Sequence, residues 1–582
     1  MVNQLIWVTT IISIVLNFIL RIILKNPKGI ETFYDYSWPI LGTLRYGDLL
    51  IRKWFLATIA FGFFVGWVIK KRTIISTLKR YWVYFVLILA TTFITHVFSF
   101  DRWFEFDDYR VIGHHYAVEG TAEPNQLGVG ASIFYSIGFA YLVVEKFGTN
   151  FFLWNFTGVA TYALIGVAIF FLANKLQGNP KASLAASLFF VTSPTFFRQK
   201  LLMIEFIGDG FTLLLFILSL YFLISKFYAG AVMFAAAAME FGFSRTHFIT
   251  IPLLLTGVFF LGFKKNWFAK KERFFTLLIF PLLAVSYLPF LTSKQPHVLN
   301  YTNFFANWKQ LVRLGDMIFG VTIPHGIAHP MIFFFQWLFD DHPYISSFLG
   351  LTVVLSLLFI VIWLFVKKKI LAAKIVSIGL VIIVTAIVFP TLMGIRLVSE
   401  LNSLNVQYDD LFPAAPASYG LFSTFGLTIT ILGLAQISKK RIIKILFILL
   451  IILNSVTILK SDHAWAKEYA YPQRIINKEL TPLIPADRNV KIIYTPKPSH
   501  VLSRYISHFY QLYRIKEPLL FTTDPIIFID LLKTYQPEKE GVYVLIMDTK
   551  TYKINNLSDR VRPHYKKGEI SPDLLELINH EL

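Results

Sequence analysis

The chain has 582 residues, 55% hydrophobic and 15% charged, with a mean hydropathy of +0.59 and a formal net charge of +20. A soluble domain carries about 25% charged residues, so this composition excludes an ordinary globular protein and indicates a polytopic membrane protein. The absence of cysteine excludes disulfides, thiolate metal centres and cysteine nucleophiles. The positive charge would suggest nucleic acid in a soluble protein, but here it collects in short loops between apolar spans, so no nucleic-acid partner is expected.

A transmembrane helix needs about 20 mostly apolar residues, and such windows fill most of residues 1–460. They fall near 5–24, 53–69, 81–99, 151–172, 182–197, 210–226, 228–242, 245–262, 274–291, 346–366, 375–393, 417–437 and 445–459, about thirteen spans by hydropathy. No small-residue cleavage site ends the first stretch, so it reads as a retained span rather than a signal peptide. Basic clusters at Lys70-Lys71-Arg72 with Lys79-Arg80, at Lys264-Lys265 with Lys270-Lys271 and Arg273, at Lys367-Lys368-Lys369 with Lys374, and at Lys439-Lys440-Arg441 with Lys444 mark the inner face. The alternation then closes with the N-terminus cytoplasmic and the C-terminus outside. Loops 99–150, 198–209, 292–345 and 394–416 fall on the outer face, with an apolar, glycine-interrupted segment at 128–146 expected to lie in the interface.

From residue 460 the pattern changes to short apolar runs broken by polar residues and proline. Val490–Tyr494 reads as a strand, Val501–Tyr513 as an amphipathic helix, Pro525–Tyr535 as a helix and Val542–Met547 as a buried strand. The expected organisation is a helical membrane domain over 1–460 and an extracytoplasmic α/β domain of about 120 residues over 461–582.

The first outer loop carries the chemistry. Asp107 and Asp108 stand between Phe106 and Tyr109, with Trp103 and Phe104 just before them and Arg110, His114 and His115 just after. Ionisable groups near lipid are costly and tend to be functional, and a desolvated carboxylate is poised for base catalysis. The plainer reading is a solvated pair or a helix cap. Arg102, Arg110, His114, His115, Arg198, Lys200, Arg245, His247 and Arg396 all approach the outer boundary, where converging cations suit a lipid phosphate; individually, each can snorkel to head groups. Glu205 and Asp209 lie one helical turn apart and with Asp107 offer oxygen ligands to a divalent metal. Alternatively, Asp209 caps the span that follows it.

Phe106-Asp107-Asp108-Tyr109-Arg110, followed by Pro124-Asn125-Gln126-Leu127, Tyr135 and Lys146-Phe147-Gly148, resembles the first outer loop of GT-C fold glycosyltransferases. The branch it is most similar to contains the protein O-mannosyltransferases and the lipid A aminoarabinose transferases (glycosyltransferase family 39). Ser193-Pro194 with Asp209 resembles the second acidic position, Phe243-Ser244-Arg245 the short stretch where relatives carry Lys or Arg, and Arg396 with Leu411–Pro416 the late outer-loop motif. Many relatives have Arg-Tyr before that late motif; this chain has Tyr408-Asp409-Asp410.

The resemblance implies a polyprenyl-phosphate-linked sugar donor, an inverting transfer to a protein, lipid or glycan acceptor, and Asp107 or Asp108 as the base. Arg110, His114, Arg245 and Arg396 would then stabilise the departing lipid phosphate. Location is expected in a prokaryotic plasma membrane. The competing classes are a lipid-linked sugar flippase or O-antigen polymerase-like carrier, which would favour charges at mid-membrane, and a non-catalytic scaffold.

Overall fold

In the computed structural model the described residues are 75–104, 147–193, 203–241, 246–261, 275–282, 345–392, 417–436, 441–484, 490–497, 499–512, 519–566 and 569–580, with single helical positions between 4 and 15 and between 331 and 338. The protein is a helical membrane protein. Five described helices are long and apolar enough to cross a bilayer: Ile75–Thr95, Phe151–Gln177, Phe348–Val366, Ile370–Ile387 and Ile445–Leu480. Shorter apolar helices pack among them.

In chain order these elements are α1 (Ile75–Thr95), α2 (Phe151–Gln177), α3 (Pro180–Val191), α4 (Met203–Ile224), α5 (Tyr228–Phe241), α6 (Thr246–Leu261), α7 (Ile345–Val366), α8 (Ile370–Leu392), α9 (Ala417–Ala435) and α10 (Arg441–Trp465). Local chemistry sets their limits. The Asn150 side chain caps α2 by accepting from the Leu153 amide at 3.2 Å, and Gly178 ends that helix in the left-handed conformation, φ 68°. Asn179 then caps α3, with Pro180 at its first turn. This Gly-Asn-Pro run stops one helix and starts the next with no intervening loop.

Within the bundle α5 is buried over Tyr228–Met239, whereas α7 has a buried and an exposed apolar side. Phe348 and Phe359 of α7 are both 68% exposed, the side a bilayer would cover. Without water in a bilayer, polar side chains must bond internally. Ser187 Oγ donates to Gly166 O at 2.6 Å between α3 and α2, and Ser219 Oγ to Ala231 O at 2.7 Å between α4 and α5. The closest seam joins α8 to α9. A Cβ added at Gly379 would sit 2.6 Å from Gly426 O, and one at Gly426 would sit 2.8 Å from Gly379 O, so glycine on both sides lets the backbones touch.

Helix ends sort into two sets. At one end His96 meets Val191 O (3.1 Å), and Asn155 Nδ2 donates to Arg102 O (3.1 Å). At the other, Lys374 Nζ donates to Phe259 O at 2.5 Å, and Gln177 Nε2 to Leu432 O. The exposed turn Lys367-Lys368-Lys369 between α7 and α8 belongs to this second end.

After α10 the backbone stays helical. A π-helical turn, Ala466–Ala470, leads straight into α11 (Tyr471–Leu480), so the helix runs through residue 460, where the sequence suggests a break. An α/β unit follows: β1 (Val490–Tyr494), α12 (His500–Leu512), β2 (Leu519–Thr522), α13 (Pro525–Lys533), β3 (Glu540–Met547), β4 (Ile554–Asn556), α14 (Ser558–Val561), β5 (Tyr565–Lys566), β6 (Glu569–Ile570) and α15 (Asp573–His580). The strand order is β2-β1-β3-β4, with β1 parallel to both β2 and β3 and β4 antiparallel to β3.

Side chains alternate across a strand, which divides the two cores. Ile493, Leu545 and Met547 face α11 and α12. Ile492, Tyr494, Val542 and Val544 pack with Phe528 and Leu532 of α13 and Leu574 and Ile578 of α15. The first of these cores also takes in Trp103, Phe104 and Trp154, so the α/β unit is seated on the end of the bundle through shared apolar packing.

Candidate functional site

The last turn of α1 gives way to a 3-10 turn, Val97–Asp101, that aims Arg102 inward. Asp462, near the end of α10, receives it. Arg102 Nη2 donates to Asp462 Oδ1 at 2.5 Å, and Ser99 Oγ donates to Asp462 Oδ2. His96 Nδ1 lies 3.8 Å from the same Oδ2, while Nε2 faces Val191 O, which requires the proton on Nε2. His96, Arg102 and Asp462 are all fully buried. A buried charge is retained only where it is paired and hydrogen-bonded, and this network meets that condition with partners 360 residues apart.

Asn155 of α2 adds the bond to Arg102 O noted above, and Tyr162 packs edge-on to the His96 ring at 5.4 Å with its hydroxyl on Phe190 O. The segment leaving α1 is therefore tied to α2, α3 and α10 before it continues to Trp103 and Phe104.

Directly beyond this network lies an open cleft of about 540 Å³. Three stretches line it: Trp103 from the segment after α1; Phe147, Thr149, Asn150 and Phe151 from the entry to α2; and Arg474 and Asn477 from α11. The entry to α2 is held in place by Gly148, left-handed at φ 51°, whose carbonyl accepts from Trp154 Nε1 at 3.0 Å. Trp103 packs on Phe151 with ring centres 5.1 Å apart. Arg474 covers the other face of this aromatic group, 5.5 Å from the Phe151 centroid, and pairs with Asp101 at 3.5 Å. Tyr505 of α12 donates to Asn477 Oδ1. Trp103 is 5% exposed, and its indole N–H has no partner among the described residues.

Trp103, one residue before the last described position ahead of segment 105–146, and Phe147, directly after it, thus line the same cleft. Asp107, Asp108, Arg110, His114 and His115 belong to that loop and lie outside the described residues, as do Arg245 and Arg396. Asp209 is described. It is buried (8% exposed) inside α4, which begins six residues earlier at Met203, so it is not the cap of that helix: the apolar-window reading starts the span too late. Glu205 lies one turn before it on the same helix, with its side chain outside the described set. Among the described residues no three metal-ligating side chains cluster.

Asp462 is the functional candidate that sequence reasoning misses. The available signal is a lone carboxylate in the last turns of an apolar span, at the depth where Arg102 stands alone on another. The chain matches no protein-family model, no curated protein and no solved structure.

Proposed function

We propose that the protein is an integral membrane glycosyltransferase that moves a sugar from a polyprenyl-phosphate donor to an acceptor hydroxyl at the extracytoplasmic face, with inversion. In this reading Asp107 or Asp108 takes the proton of the acceptor hydroxyl, whose oxygen attacks the anomeric carbon. The bond from that carbon to the phosphate oxygen breaks, and its electron pair leaves with the lipid phosphate. Base catalysis of this kind contributes about 10²–10⁴-fold. Arg110, His114, His115, Arg245 and Arg396 supply the positive field for the developing phosphate charge.

One observation carries the proposal. The segment bearing the acidic pair joins two stretches that line one cleft, Trp103 before it and Phe147 after it, at one end of an apolar bundle. Phe104 and Asp107 are separated by three residues, at most about 11 Å of extended chain, so the anchored wall of the cleft limits where the carboxylates can go. The lysine turn at 367–369 lies at the opposite end of the bundle, which supports an orientation with the cleft outside; about thirteen crossings and a cytoplasmic N-terminus are carried over from the sequence reading. Glu205 and Asp209 fit the oxygen chemistry of a divalent cation, which would help neutralise the phosphate.

The test is transfer or hydrolysis by purified protein in nanodiscs, with a panel of polyprenyl-phosphate sugars, with and without a chelator. Lipid phosphate release by wild type, absent from either Asp107→Asn or Asp108→Asn, is the expected result. Full turnover in the double variant would sink the mechanism. Donor binding without turnover in wild type would favour a carrier.

A further inference from the structure

The geometry points to the end of the bundle opposite the cleft as a docking surface for anionic phospholipid. Lys226 and Lys368 hold head-group phosphates there, from the turns between α4 and α5 and between α7 and α8. This goes beyond the transferase reading and does not depend on it.

Packing gathers these turns at one end. Asn174, near the end of α2, donates to the Tyr81 hydroxyl near the start of α1 at 3.3 Å, and Phe171 of α2 meets Tyr221 near the end of α4 with ring centres 6.4 Å apart. Gln177 of α2 reaches Leu432 near the end of α9, where Gly433 lies against Val376 near the start of α8.

The two turns are built alike. After α4, Lys226 N donates to Leu223 O at 3.1 Å and Phe227 N to Phe222 O at 2.9 Å; after α7, Lys368 N donates to Phe365 O at 3.0 Å and Lys369 N to Leu364 O at 2.9 Å. This double closure needs a left-handed residue, a position that favours glycine, and Gly178 takes that conformation after α2. Lysine takes it in the other two, Lys226 at φ 63° and Lys368 at φ 56°. A left-handed lysine carries a backbone cost that glycine does not, and strain repeated at two turns points to a use for the charge. The helix dipole favours a cation anywhere in the last turn, so it does not call for this position.

Charge and surroundings name the partner. Lys226, Lys367, Lys368 and Lys369 are exposed, as are Lys79, Arg80, Lys175 and Lys181 at the same end. No ion pair and no acidic side chain among the described residues lies there. The lysine turn also stands where apolar surface stops: Trp363 and Val366 before it and Ile370 after it are 40%, 72% and 46% exposed, and Trp82, just after Arg80, is 59% exposed. That is the side a bilayer covers, with exposed tryptophan at its boundary. Ammonium groups at this level meet lipid head groups, where each adds about fivefold to affinity for an anionic surface.

The experiment uses the full chain in detergent micelles. Bound phosphatidylglycerol is counted by native mass spectrometry during a titration, with phosphatidylcholine of the same acyl chains as the comparison and inorganic phosphate as a separate arm. Wild type should prefer phosphatidylglycerol, less so as salt rises. Lys226→Gly and Lys368→Gly should each weaken that binding about fivefold, and Lys368→Arg, which keeps the charge, should not. Because glycine suits both turns, the two glycine variants should unfold in phosphatidylcholine nanodiscs at or above the wild-type temperature. Equal binding of the two lipids by wild type, or a preference unchanged in both glycine variants, would overturn the docking surface. Competition by inorganic phosphate at equal concentration would overturn it in favour of a free anion. Lower unfolding temperatures of both glycine variants in phosphatidylcholine would overturn it in favour of a structural role for the lysines.

Discussion

Replacing Asp462 by alanine should be among the most damaging single changes in the described structure, and replacing Arg102 and Asp462 together should be far milder. The carboxylate accepts from Arg102 at 2.5 Å and from Ser99, and neither charged side chain reaches solvent. Removing one member of a buried pair strands the other charge, at a cost of about 3–5 kcal/mol. Ser99 loses its acceptor as well, which places Asp462→Ala toward the upper end of that range. In Arg102→Met/Asp462→Leu no charge remains to be desolvated, and such replacements are often neutral or stabilising. Asn155 still bonds the Arg102 carbonyl, a backbone contact the substitution leaves intact. The assay is the unfolding midpoint in nanodiscs for the two single variants and the double, treated as a double-mutant cycle. Strong non-additivity is expected, with the double more stable than either single. Additive losses would refute the argument, because they would mean that the two side chains act independently.

The remaining predictions concern other parts of the chain. Gly379→Ala or Gly426→Ala should destabilise the α8–α9 seam by about 1–3 kcal/mol, the usual cost of overpacking, because each new methyl would meet backbone atoms of the facing helix as well as a side chain, Thr430 or Ile383; thermal unfolding reads this directly. Gly148→Ala meets no atom within 4 Å, so its loss should be only the left-handed backbone cost of about 1–2 kcal/mol. In the α/β unit, burial pushes the Tyr494 hydroxyl up to about 12, aided by Asp524, and burial likewise pushes Tyr565 up to about 12. Both stay neutral in the folded state after the unfolded chain, near 10, has begun to ionise, so their contribution is complete below about pH 10 and is lost as pH rises toward 12. Stability measured across that window should fall, and Tyr494→Phe should flatten the fall; an unchanged slope would assign it elsewhere.

The parts of the fold that were legible in sequence are those set by local pattern. Val490–Tyr494 is a short β-branched and aromatic run, and it forms β1 over those residues. The limits of α5, α6 and α7 fall within one residue of the apolar windows. The windows mislead where polar residues are helical and internally partnered. Lys460, Ser461, Asp462 and His463 look like an exit from the membrane, yet Asp462 bonds Arg102 and His463 packs on Phe98 at 4.8 Å, within one unbroken helix. Asp209 misleads in the same way, as a carboxylate inside α4 that resembles a cap. The Arg102–Asp462 pairing was invisible because nothing local joins residues so distant in the chain; either one alone reads as an interfacial charge.

The unbroken passage from α10 through the π turn into α11 has a mechanical consequence. The apolar helix described as Ile445–Leu480 has 36 residues, about 54 Å at 1.5 Å per residue, and Arg474 rides near its far end. The helix runs unbroken from the bundle to Leu480, so it behaves as a boom rather than a tether. Arg474 stands 20 residues beyond Asn454 in the apolar stretch, about 30 Å along the axis. A change in tilt of about 5° would therefore carry its guanidinium about 3 Å sideways. Tilting is one way a helix accommodates a change in bilayer thickness, and the opposite wall of the cleft, Trp103, follows Arg102, which is clamped to the boom at Asp462. The two walls share a pivot, so a thinner or thicker membrane would change the opening of the cleft chiefly through the part of the helix beyond that clamp.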